Sequence, residues 1–122
     1  MEHTRRTWSL DTTTDRIPGG IVVTPRGRIG AGTAPAFAAA LAAARAESAS
    51  VVIDLQGVDY ISGAGVVALR DFTGAAAGER AILCGLREPV RATLELAGLL
   101  DGLEVETTRA NAMEKLGQGS GG

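Results

Sequence analysis

The sequence predicts a single α/β (or split α+β) domain, a sheet of four to five strands with about four helices packed on it. Three observations carry this. Short apolar, β-branched runs alternate with segments of helical periodicity along the chain. The helical segments open at Thr, Ser or X-Pro and tend to close at Gly. A length of 122 residues suits one compact domain, and 45% apolar residues with only 3% aromatics call for a core of small aliphatic side chains.

The elements follow in order. Trp8 to Asp11 reads as a short first strand. GIVVTPRGRI (Gly20–Ile29) is the second, and Pro25 marks it as an edge or a strand end, because proline cannot donate to a ladder. In GTAPAFAAALAAARAESA, Thr33 stands as N-cap and Pro35 in the first turn, where its missing N–H is harmless. Phe37, Leu41 and Ala44 then share one face of an alanine-rich helix.

SVVIDL (Ser50–Leu55) is a continuous apolar run, the pattern of a central strand covered on both faces. The segment QGVDYI follows without an assigned element, and a helix then runs from Gly63 to about Ala76, carrying Val66, Val67, Leu69 and Phe72. RAILCGL is a buried strand ending near Leu86. REPVRATLELAG is a helix with Pro89 in its first turn, Val90, Leu94 and Ala97 on one face, and Gly98 as its stop. LEVET gives a short final strand and RANAMEKL a last helix, so the domain spans residues 1–116 and the glycine-rich 117–122 is expected to be a disordered tail.

Composition removes several function classes. A net charge of −2 with no basic cluster argues against nucleic acid; Arg5-Arg6 and Arg26/Arg28 read as solvated pairs. One cysteine, Cys84, excludes an internal disulfide and a multi-thiolate metal site, and its apolar setting reads as a buried structural thiol. The N-terminus has no apolar signal-like core, and no run reaches the ~18 apolar residues of a membrane span, so the chain is expected to be cytoplasmic without membrane insertion.

The stretch VVIDLQGVDYISGAGVVALRDF holds the one loop that invites chemistry, Ser62-Gly63-Ala64-Gly65. GAGVVA matches a dinucleotide fingerprint, but the strand before it is read as ending near Leu55, and no carboxylate stands about 20 positions on until Glu88. Ser62 lacks a base: the one histidine, His3, is near the terminus, and ISGAG is not a nucleophile elbow. One His and one Cys cannot build a metal centre, and Asp54 reads as a carboxylate bonded to nearby backbone amides. The expectation is a protein that is not an enzyme and takes no cofactor. What remains is a recognition surface, where small residues at a helix start offer unpaired amides and close approach, or a serine that simply caps its helix.

The order of elements together with VVIDLQGVDYISGAGVVAL resembles the STAS domain, the fold of anti-sigma-factor antagonists. GIVVTPRGRIGAGTAPAFAAAL is similar to that family's second strand and first helix, and AILCGLREPVRATLELAGLLDGLEV to its later strand–helix–strand. The resemblance implies a cytoplasmic regulator that binds a kinase-type anti-sigma factor, which phosphorylates a serine in an Asp-Ser-(Ser/Ala/Thr)-Gly loop. Aligned on Asp54, the resemblance puts Ser62 in the Asp (or Ser) slot, Gly63 in the acceptor slot, and Ala64 and Gly65 in the last two. Gly63 has no hydroxyl. The loop is therefore expected to bind without the usual switch, or to carry the phosphate one residue away on Ser62. Alternatively, the domain serves as a subunit of a lipid-transport ABC complex, in a stress-signalling assembly, or as a nucleotide or small-molecule sensor. Partner-binding residues implied are Asp59, Tyr60, Ser62, Gly63, Ala64, Gly65, an exposed Val66, and Arg70 on the outer helix face; homo-oligomerisation stays open.

Overall fold

Apolar residues on alternate positions of the central strands face opposite ways, and the chain covers both faces with helices. A computed structural model describes residues 9–74 and 76–121. The elements run β1 (Leu10–Ile17), β2 (Gly20–Ile29), α1 (Ala34–Glu47), β3 (Ser50–Asp54), β4 (Val58–Ile61), α2 (Gly63–Thr73), β5 (Arg80–Cys84), α3 (Glu88–Leu96), β6 (Glu104–Glu106) and α4 (Arg109–Gly121). The sheet has six strands in the order β1-β2-β3-β5-β6, with β4 paired to β2. β1 and β2 are antiparallel and the other pairs parallel.

Odd and even positions divide the core. Ile21, Val23, Val51, Ile53 and Leu83 face Phe37 and Leu41 of α1, Leu69 of α2, and Val90 and Leu94 of α3. Val22, Val52, Ile82 and Cys84 face the other way, onto Ala112 and Leu116 of α4. The fold is thus three layers, helices on both faces of a mixed sheet.

Five expectations are corrected. The first strand begins at Leu10 and runs to Ile17 rather than lying at Trp8–Asp11; Trp8 falls outside the described residues. The polar run Asp11–Arg16 forms strand because it is a sheet edge, mostly exposed, closed to β2 by a tight turn with Gly19 at φ 85°. β2 is no edge. Pro25 sits between Val23, the last residue paired with β3, and Gly27, the first paired with β4, where no N–H is needed on that side.

The segment after Leu55 holds a sixth strand. Val58 and Ile61 point into the core while Asp59 and Tyr60 do not, too short a pattern to stand out in the sequence. Ala97 does not share the buried face of α3: the helix ends at Leu96, and the turn at Gly98 (φ 70°) brings Leu99 into the core instead. Finally, α4 carries helical backbone to Gly121, into the stretch whose composition predicts disorder.

Cys84 is fully buried, as expected. Burial, reinforced by the Asp54 charge, pushes its thiol up to about 12, well above the usual thiol range. An unfolded chain ionises this thiol at ordinary alkaline pH while the folded one holds the proton, so stability present at neutral pH is lost as pH rises from the ordinary thiol range towards 12. Urea midpoints of wild type and Cys84→Ala over that window are expected to diverge, the wild type falling by up to ~1.4 kcal/mol more per pH unit. Parallel slopes would contradict it.

Candidate functional site

The end of β2 holds the starts of two helices. The Ile29 carbonyl accepts the Ser62 amide at 2.8 Å, which fixes the entry to α2. One residue earlier, the Arg28 carbonyl accepts the Thr33 hydroxyl at 2.7 Å, and the same Oγ1 accepts the Gly30 amide at 2.9 Å. Thr33 occupies the N-cap position of α1, as its place before Ala34-Pro35 suggests, but its side chain hooks back to β2 instead of capping the helix.

Ser62 is a true side-chain cap. Its backbone is extended (φ −91°, ψ 177°), its Oγ accepts the Gly65 amide at 3.3 Å, and its carbonyl accepts the Val66 amide at 2.9 Å. Gly63 and Ala64 are exposed. A Cβ on Gly63 would meet nothing within 4 Å; one on Gly65 would lie 2.6 Å from both Ile29 Cγ2 and Ile61 Cγ1. Two glycines two residues apart therefore do opposite things. Gly63 leaves open space above the helix start, and Gly65 lets α2 settle against the β2 and β4 ends.

Val66 is buried at 5% exposure, against the expectation of an exposed helix start, because it follows Gly65 onto the sheet-facing side. Val67 is the exposed apolar residue instead, at 47%, and shares the outer face with Gly63 and Arg70 by helical spacing. Tyr60 is 41% exposed beside the loop, while its neighbour Ile61 is buried. Asp59 is exposed and lies 3.8 Å from the Arg28 guanidinium, at the rim of the same surface. Among the described residues three large apolar side chains are exposed, Tyr60, Val67 and Leu96, and two of them flank the loop.

The dinucleotide reading is changed in one respect: β4 does lead directly into Gly63. The loop is still not built for a pyrophosphate, since Gly65 turns inward against two isoleucines and the chain about 20 positions on, Cys84-Gly85-Leu86 at the end of β5, offers no carboxylate. Among the described residues no cluster of His, Cys, Asp and Glu has the makings of a metal site, and no helix is long and apolar enough to cross a membrane.

One polar feature was only half visible in the sequence. Asp54, 6% exposed at the end of β3, accepts the Gln56 amide through Oδ1 at 3.1 Å, the backbone bond expected of it. Its Oδ2 pairs with Arg109 Nε of α4, also at 3.1 Å, and Arg109 Nη2 donates to Thr24 Oγ1 at 2.6 Å. The partner is 55 residues away, so no spacing rule reaches it. Elsewhere, Arg80 and Glu104 form a two-point pair at 2.8 Å across β5 and β6, which holds the Glu104 carboxyl below the usual carboxylate range.

The STAS domain family model matches residues 11–112 of this chain. No curated protein matches it. Among solved structures, an anti-sigma factor antagonist from Mycobacterium paratuberculosis superposes with a TM-score of 0.83 at 24% identity, over 88% of this chain and 94% of its own. The phosphorylated form of the Bacillus cell fate determinant SpoIIAA gives 0.64 at 14% identity, over 90% and 99%. A serine-to-glutamate variant of Moorella thermoacetica RsbS gives 0.74 at 18%, over 89% and 97%. At these identities the likeness is one of fold.

Proposed function

The chain belongs to the STAS domain family, and from that premise we propose that it is an anti-sigma-factor antagonist that binds a kinase-type anti-sigma factor through Ser62, Gly63, Ala64 and the outer face of α2. It acts by binding rather than by catalysis, without a cofactor, in the cytoplasm. The observation that carries this reading is the open space over Gly63 flanked by Tyr60 and Val67. An uncharged, sterically free helix start between two exposed apolar side chains lets a partner's backbone come close and bury apolar area around it. Asp59, Arg28 and Arg70 supply a charged rim.

The position that the family resemblance assigns to the phosphoacceptor is Gly63. A phosphoryl group there would add roughly −1.5 to −2 charges at the centre of the contact. Gly63 cannot take one, and the neighbouring Ser62 hydroxyl caps α2. The loop therefore binds in its unmodified state at all times. Pull-downs from native cells with wild type and Gly63→Glu as baits, read by mass spectrometry, test this. A histidine-kinase-like ATPase of the anti-sigma type is expected with wild type and lost with Gly63→Glu. Recovery of ABC-transporter subunits or a multi-STAS assembly instead would overturn the reading.

A further inference from the structure

We infer that α4 is a strap that opens away from the sheet while the rest of the fold stays closed, and that the Arg109–Asp54 ion pair is its catch. The two faces of the sheet are unequally covered. On one, α1, α2 and α3 contribute Phe37, Leu41, Leu69, Val90 and Leu94 to a large continuous core. On the other, the stripe Val22, Val52, Ile82 and Cys84 is covered by Ala112 and Leu116 of α4. The last of these rests on bare backbone, for a Cβ on Gly20 would lie 2.8 Å from Leu116 Cδ2.

Apolar burial holding α4 is thus small, and its own helical preference is weak. Its C-terminal half reads Gly117-Gln-Gly-Ser-Gly121, and glycine disfavours helix through its backbone freedom. A helix of this length is marginal once it leaves its docking face. As the last element in the fold it can also leave without breaking a strand pairing. Such an element opens at a free energy well below that of global unfolding.

Polar ties concentrate at its first turn. Arg109 spans three strands at once: Asp54 on β3, Thr24 on β2, and Asp15 on β1 at 3.8 Å. Asp54 is buried but the Arg109 side chain is 37% exposed, so water reaches the catch from one side. Weaker contacts follow along the helix, Lys115 to Glu106 at 3.6 Å and Arg80 to the Leu116 carbonyl at 3.5 Å. The catch also touches the route into the candidate loop, because the other oxygen of Asp54 holds the Gln56 amide on the way from β3 to β4 and Ser62.

Cys84, the one cysteine of the chain, lies wholly buried in the stripe beneath α4 and reports the opening. The full-length protein is treated with iodoacetamide across a urea series and alkylation is followed by mass spectrometry, beside global unfolding by far-UV circular dichroism. Labelling at low urea is expected at least tenfold faster than global unfolding allows, with a shallow urea dependence that joins the steep global one only near the transition. Arg109→Gln is expected to raise that shallow-regime rate tenfold or more, while Arg16→Gln, which removes an exposed pair with Glu47, leaves it unchanged. Labelling that follows the full global slope down to zero urea in the wild type would overturn the strap. An Arg109→Gln rate equal to wild type would overturn the catch.

Discussion

Gly65→Val is expected to lower the free energy of unfolding by about 3 kcal/mol, at the upper end of the cost of overpacking a closed core. The first added carbon already falls 2.6 Å from Ile29 Cγ2 and from Ile61 Cγ1. Both isoleucines are buried strand residues at the ends of β2 and β4, so neither can swing into solvent. Relief comes only by lifting the start of α2, which strains the Ser62 cap and the Ser62–Ile29 bond that seat the loop. The neighbouring Gly63→Ala meets open space and is expected to be neutral or to stabilise by up to ~1 kcal/mol through helix preference. Urea denaturation of the two variants makes the comparison. A Gly65→Val protein as stable as wild type would mean that α2 does not sit this close to the sheet.

Asp54→Ala is expected to cost about 2–3 kcal/mol, below the full penalty of breaking a buried ion pair because Arg109 keeps access to water. The loss has two parts. The Gln56 amide loses its acceptor, and the Arg109 guanidinium is left facing Thr24 without its carboxylate. The site is also closed to relaxation from the side: Gly85 has φ 70°, and a Cβ there would stand 2.9 Å from Asp54 Oδ1. Asp54→Asn, which retains an acceptor for Gln56, is expected to fall between. Chemical denaturation of both variants measures the difference, and a change below 0.5 kcal/mol (~the noise of surface substitutions) for Asp54→Ala would show the pair to be screened.

What the sequence revealed and what it hid divide along physical lines. The helices α1 and α3 and the strands β2, β3 and β5 were legible because their apolar periodicity or unbroken apolar runs are long enough to stand above noise, and because Pro35, Pro89 and Gly98 mark their ends. β1 was hidden by its threonines and aspartates, which an edge strand tolerates. β4 was hidden by its brevity, four residues whose partner is the far end of β2 rather than the adjacent β3. At the site, Ser62 as cap follows from its place at the start of the helix, whereas the open space at Gly63 comes from the structure. That Gly65 and Val66 turn inward while Val67 faces out depends on how α2 sits on Ile29 and Ile61, a tertiary fact. The Asp54–Arg109 pair is likewise tertiary, joining the central strand β3 to the last helix.

The proposed function rests on the loop at Gly63 being a recognition surface without a phosphate switch. The most direct measurement is the affinity of the purified chain for the anti-sigma kinase captured with it, by isothermal titration before and after incubation of the two with ATP, for wild type and for Gly63→Ser. Tight binding of wild type that ATP leaves unchanged is expected, with no phosphate incorporated into it. Gly63→Ser, whose side chain enters open space, is predicted to bind as wild type at first and to become phosphorylated and released once ATP is added. Phosphate found on wild-type Ser62 with a matching loss of affinity, or binding that Gly63→Glu leaves intact, would contradict it.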